Sequence, residues 1–284
     1  MPSNSAQDFH ILRLGWHDRA NALPLLYPLA MGWVAPDPPW QLHTVRAAPG
    51  ALLEALLDGR VDAAFIAPVG LAQHGERLTP VDGWALACEG ASATALLLAP
   101  RRLDMMHQGH AWVSPEAHGS TAEHLLRVLL KPYYDITLRL SLPGEPGYDH
   151  AGARLLYGDE AGREAQARPQ GWVAEDMGVA WYVLTGLPVI WEVLAALRDL
   201  DQCKPGATSA LHTLLERSHR AARDQHRAIL TEGAHRLGLT LRVVGDLFSR
   251  QRYIMGQAEH RALAHLLDLA GRVGLLDPSS NPSP

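Results

Sequence analysis

The sequence predicts an α/β fold of two lobes, each a mostly parallel sheet with flanking helices. Three observations predict it. Strand-like and helix-like apolar patterns alternate from the start of the chain, as they do where crossover helices join parallel strands. The alternation stops at Pro100 and two arginines and then begins again. A last apolar run at 189–193 follows a helix stop and reads as a return to the first lobe. Two crossings give a discontinuous first lobe, 1–99 with 190–284, and an inserted second lobe, 100–189. They also give a hinge about which the lobes close over a ligand.

In chain order, 11–15 reads as a strand and 23–31 as a helix. Residues 42–46 read as the next strand. Pro49 then opens a helix that runs to Leu57 and is ended by Gly59, the usual asymmetry of Pro at the start and Gly past the end. Residues 61–66 form a buried strand, which completes the clearest strand–helix–strand unit in the chain. Two apolar runs between Trp84 and Leu98 are split by Glu89 and Gly90. In the second lobe, strands are expected at 111–113, 136–142 and 154–157. Helices are expected at 121–130, from Asp159, and at about 176–185, where Gly186, Leu187 and Pro188 stop the chain. A turn-rich break covers 143–147. Two long helices, about 209–232 and 259–273, close the fold before a Pro- and Ser-rich tail.

The composition excludes several classes. With 284 residues, 47% apolar, 19% charged and a net charge of -5, the chain has an ordinary globular makeup and no basic face for nucleic acid. No apolar stretch approaches the roughly 20 residues a membrane span needs. The first seven residues lack both the basic start and the apolar run of a secretory signal, and Cys88 and Cys203 stand alone, so a reducing, cytoplasmic location is expected. The oligomeric state is not fixed by the sequence; a homodimer is admissible.

Ligands of open α/β sheets collect where strands end and helices begin, because the first amides of a helix are unpaired. Two junctions fit. Asn21 stands where an N-cap would be after the first strand, and Gly119, Ser120 and Thr121 precede the helix at 121–130. Such residues serve most often as plain caps; if both face one cleft, they would hold an anion apiece and favour a dicarboxylate. Asp159, Glu160, Glu175 and Asp176 are carboxylates at helix starts, suited to acid–base work or to complementing the helix dipole. His17, beside Asp18 in the first loop, is a candidate proton carrier. His212, His219 and His226 recur every seven residues, too far apart to share an ion, and read as a solvated stripe. His107 and His110 lack a third ligand. No phosphate loop, nucleophile elbow or dinucleotide fingerprint occurs. A metal or cofactor is therefore not expected.

The run Arg13, Leu14, Gly15, then Asn21, Ala22, Leu23, Pro24, Leu25 resembles the start of chorismate dehydratases of the futalosine route to menaquinone. The likeness continues through 56–66, with Gly59, Val61, Asp62 and Ala63, and resumes at 125–130 and 158–161. It ends over 176–188, with Trp181, Thr185, Gly186, Leu187 and Pro188. The resemblance implies a fold similar to type II periplasmic binding proteins and a cofactor-free dehydration of chorismate, itself a dicarboxylate. It implies that Asn21 holds the substrate, with Thr94, Ser120 and Thr121 as donors. His17, Ala67, Pro68 and Gly119 complete the expected binding residues, and Asn21 with Asp159 the expected catalytic ones. Members commonly carry serines after the strand ending at Ile66, where this chain has Ala67 and Pro68, and a serine where it has Ala122. Two alternatives stand beside this one. One is a non-catalytic cytosolic binding protein for a small carboxylate. The other is the similar 1,4-dihydroxy-6-naphthoate synthase, whose histidine base is replaced here by Gly158 and Asp159.

Overall fold

The computed structural model describes residues 9–106, 108–142, 144–145 and 152–277. The first half of the chain begins with β1 (His10–Trp16), α1 (Leu23–Ala30), β2 (Trp40–Arg46), α2 (Pro49–Leu57), β3 (Ala63–Ile66), α3 (Pro68–Gln73) and β4 (Leu78–Cys88). It continues with β5 (Ala95–Ala99), β6 (Gln108–Val113), α4 (Thr121–Leu130), β7 (Thr137–Ser141), β8 (Ala153–Tyr157), α5 (Asp159–Ala167), β9 (Val173–Asp176) and α6 (Met177–Thr185). The last part holds β10 (Val189–Leu197), α7 (Leu200–Cys203), α8 (Ala207–Asp224), α9 (His226–Leu237), α10 (Leu241–Ser249), β11 (Gln251–Ile254) and α11 (Gln257–Arg272).

The strands form two sheets, ordered β11-β4-β10-β3-β1-β2 and β7-β6-β8-β5-β9. Both are mixed, which corrects the mostly parallel expectation. The parallel pairs are β1 with β2 and β3, and β6 with β7 and β8. The antiparallel pairs are β10 with β3 and β4, β11 with β4, and β5 with β8 and β9. The physical reason lies in the crossings, since a strand entering or leaving a sheet from its far end must run against the strands already there. The first crossing lies between Cys88 and Ala95, so β5 belongs to the second sheet although the sequence put 1–99 in the first lobe. The chain returns between α6 and β10.

Asp62 locks β1 onto β3. It accepts from the Arg13 backbone at 2.8 Å, the Arg13 guanidinium at 2.7 Å and Lys204 at 2.7 Å. Burial alone would raise this carboxyl, but those donors hold it below its usual range. The largest apolar cluster joins the two sheets: Leu97, Val113, Leu155 and Tyr157 of the second pack with Cys88, Val189 and Trp191 of the first and with Leu266 of α11. The expected helix over 209–232 is two helices, α8 and α9, parted at Gln225. His212 and His226 are exposed, as the solvated-stripe expectation has it, whereas His219 is half-buried with its ring 5.5 Å from Tyr253.

Candidate functional site between the two sheets

Four chain segments meet where the sheets face each other. β1 leads into His17, Asp18 and Arg19, ahead of a single 3-10 turn over Ala20–Ala22. The crossing strap Ser92, Ala93, Thr94 enters β5. β8 ends at Tyr157, and β10 carries Glu192 in the middle of an otherwise apolar strand. Asp176 fixes the strap by accepting from the amides of Ser92 and Ala93 at 2.9 and 2.7 Å while also capping α6 through Gly178. Burial raises its pKa against these donors.

Tyr157 is the hub. It is fully buried, with the Arg19 guanidinium 4.8 Å from its ring centroid on one side and the His17 ring stacked at 5.5 Å. Its hydroxyl donates to Glu192 Oε1 at 3.4 Å, and burial pushes its pKa well up. Trp191 lies 6.1 Å from the same ring. Consecutive residues reach one partner because β10 bulges there: Ile190 pairs with Ala87 but Glu192 with Leu86, leaving Trp191 as the extra residue. Arg19 Nη2 stands 3.1 Å from Glu192 Oε1, with side chains 0% and 2% exposed.

Buried polar atoms without a hydrogen-bond partner gather at this spot. Arg19 Nε, Nη1 and Nη2, Asn21 Oδ1, Glu192 Oε2 and His17 Nδ1 are all buried without a hydrogen-bond partner, Arg19 Nη2 making only its ion-pair contact with Glu192. Leaving such groups dry costs roughly 1–3 kcal/mol each, more when charged, so a concentration of them marks a place built for something other than the chain itself.

The sequence-expected residues divide. Asn21 is buried within the 3-10 turn and is no helix cap; its Nδ2 reaches Thr94 Oγ1 at 2.9 Å and the Ser92 carbonyl at 3.3 Å, tying the first sheet to the second. Tyr253 Oη supports it from behind, donating to the Asn21 carbonyl at 3.0 Å. His17 Nε2 bridges to Glu116 Oε2 at 2.9 Å, which holds Glu116 below its ordinary pKa. Asp159 Oδ1 accepts from the Ala20 amide at 2.7 Å, another tie between the halves, and burial raises its pKa despite that donor. The second expected anion site is filled by the protein. Ser120 Oγ caps α4 through the Ala122 and Glu123 amides, the Gly119 amide donates to Glu123, and Thr121 Oγ1 donates to the Trp191 carbonyl. Ala67 and Pro68 start α3 and offer no side-chain polar group.

The mouth of the seam is a cleft of about 650 Å³ lined from both halves by His17, Arg46, Glu116, Tyr157, Asp159 and Arg163, among others. Among the described residues no three of His, Cys, Asp and Glu are grouped as metal ligands; His107 lies outside them. No helix among them is long and apolar enough to cross a membrane.

Residues 12–272 match the family described as menaquinone biosynthesis. The chain belongs to that family. Its fold is that of the periplasmic binding proteins. Protein AF1704 from Archaeoglobus fulgidus superposes with a TM-score of 0.74 at 16% identity, over 94% of this chain and 98% of that one. The alkanesulfonate-binding protein SsuA from Xanthomonas axonopodis pv. citri, bound to MOPS, gives 0.66 at 17% identity, over 95% and 96%. The aliphatic sulphonate binding protein SsuA of Escherichia coli gives 0.61 at 13% identity, over 92% and 87%. In this menaquinone-family chain the structure brings the expected Asn21, Thr94, His17 and Asp159 together at the seam with Arg19, Tyr157 and Glu192, which the sequence did not single out. One signal was there to find: a lone Glu inside the run Val189–Leu197 cannot face an apolar core unpaired.

Proposed function

We propose that the chain removes water from chorismate to leave 3-[(1-carboxyvinyl)oxy]benzoate, in the seam between the sheets. The observation that carries this reading is the buried Arg19 guanidinium, free of hydrogen bonds, two residues from Asn21 in a menaquinone-family chain. A fully desolvated guanidinium is a strong receptor for a carboxylate, which it binds in a bidentate fork. Asn21, tied to Thr94 across the seam, keeps its side-chain oxygen for a ligand donor.

The elimination takes a ring proton and a hydroxyl, and the gain of aromaticity drives it. The electrons of the broken C–H bond form the new double bond, and the hydroxyl leaves as water once protonated. Positioning then supplies most of the rate. One of the substrate's own carboxylates serves as base, held by Arg19 in the reactive orientation. A cytosolic location suits a substrate of central metabolism.

The test is incubation of purified protein with chorismate and separation of the products by chromatography and mass. A product lighter by one water supports the dehydratase. Unchanged chorismate that nonetheless binds in calorimetry supports the second reading, a carboxylate-binding protein, on the fold shared with the sulfonate-binding SsuA. Consumption of a cyclised futalosine derivative in its place points to the naphthoate synthase.

A further inference from the structure

The unpaired atoms in the seam are of two kinds. Arg19 offers only donors, whereas Asn21 Oδ1 and Glu192 Oε2 accept. A plain carboxylate would satisfy Arg19 and leave both acceptors dry. It would also place a second negative charge beside Glu192, which stands 3.1 Å from the same guanidinium. A ligand carrying ring hydroxyls next to its carboxylate satisfies both kinds at once.

We propose that Arg19 and Glu192 are an exchangeable ion pair that sets specificity: Glu192 holds Arg19 while the seam is empty, yields it to the ligand's carboxylate, and then accepts from a ligand hydroxyl. Three features support the exchange. The pair meets at charge–charge distance without a hydrogen bond, so little geometry is lost when it opens. Glu192 has a second partner in the Tyr157 hydroxyl, and that partner remains when Arg19 turns away. The β10 bulge at Trp191 presents Glu192 to Tyr157 from the strand that returns from the second sheet, so the pair sits where lobe movement is felt. A neutral pair in the empty site also avoids leaving a naked buried cation.

The proposal rests on the seam being the ligand site and does not require that chorismate be turned over. It is tested with two unreactive probes of matched shape, shikimate and 1-cyclohexene-1-carboxylate. Neither becomes aromatic by loss of one water, so binding is read apart from turnover. Calorimetric titration of the wild type is expected to show shikimate binding at least tenfold more tightly, since a site that pairs with a hydroxyl rejects the analogue lacking it. In Glu192→Gln, which keeps the shape and removes the competing charge, the plain carboxylate binds about tenfold more tightly than in the wild type and the gap between probes narrows. In Arg19→Gln both affinities are lost. Ligand-induced rise in melting temperature gives a second readout, larger in Glu192→Gln than in the wild type. Equal binding of the two probes by the wild type overturns the proposal, as does binding of neither. So does an unchanged or weakened affinity of Glu192→Gln for the plain carboxylate. If chorismate is not dehydrated but these shifts appear, the specificity pair stands and the dehydration does not.

Discussion

Removing one member of the Arg19–Glu192 pair strands a charge, whereas removing both strands nothing. Glu192→Ala is therefore expected to cost about 3–5 kcal/mol of stability in chemical denaturation, while Arg19→Met with Glu192→Leu is near neutral or stabilising. The double variant should bind no carboxylate at all, which separates the pair's cost from its use. Asn21→Ala should fold, lose roughly 1–3 kcal/mol through the vacated Thr94 hydroxyl and Ser92 carbonyl, and lose turnover of chorismate. Full activity in that variant would remove Asn21 from the chemistry. Asn21, Thr94 and His17 were legible because each follows or precedes a strand end in a recognisable run. Arg19 was not, since an arginine between Asp18 and Asn21 reads as loop surface. Its burial depends on Glu192, a partner far along the chain that no local pattern reveals.

At the scale of elements, α4 shows how one helix start carries opposing titrations. Glu123 accepts from His118, Arg127 and the Gly119 amide, which hold its pKa far below the usual range although burial opposes them. His118 is raised in return by Glu123. His124, one residue on, is buried with its Nδ1 unpaired, and burial lowers it from 6.5 to about 4. As pH falls below 6.5 the unfolded state takes up this proton first, so stability drops until about pH 4 at about 1.4 kcal/mol per unit. The window sums to about 3 kcal/mol. His124→Leu should flatten that stretch of a melting-temperature-against-pH curve; an unchanged slope would locate the titration elsewhere. Helix α4 itself was fully legible, as were α2 and α6, because their caps are local: Ser120, Pro49 and, past α6, Gly186 at φ +67. Strands β9 and β11 were not, because four residues of mixed polarity carry no period to read; α10 did carry a signal that went unread, since Thr240 caps an amphipathic run that buries Val244, Leu247 and Phe248. The split of α8 from α9 escaped for a related reason, since the apolar rhythm continues across Gln225.

For the molecule as a whole, one close approach of the two halves is at Gly119, whose φ is +69 and whose added Cβ would come within 3.1 Å of the Gly50 backbone. Gly119→Ala should therefore hold the halves apart. Small-angle scattering is expected to show a larger radius of gyration, with a weaker affinity for carboxylate ligands; an unchanged radius would show that the seam closes without this contact. The alternation of strands and helices made the two-sheet plan legible, but strand direction was not, because apolar runs look the same whichever way they are threaded. The strand order carries a consequence for how the molecule is made. All five strands of the second sheet come from Ala95–Ala99 through Val173–Asp176, one unbroken stretch, whereas the first sheet needs both β1 and β11. On a ribosome the inserted unit can fold while its host is still an incomplete sheet. Tyr253, which braces Asn21, lies on β11, the last of the described strands to emerge. A nascent chain stalled before it would display a finished second sheet, a first sheet with an open edge along β4, and a pocket still lacking its rear support.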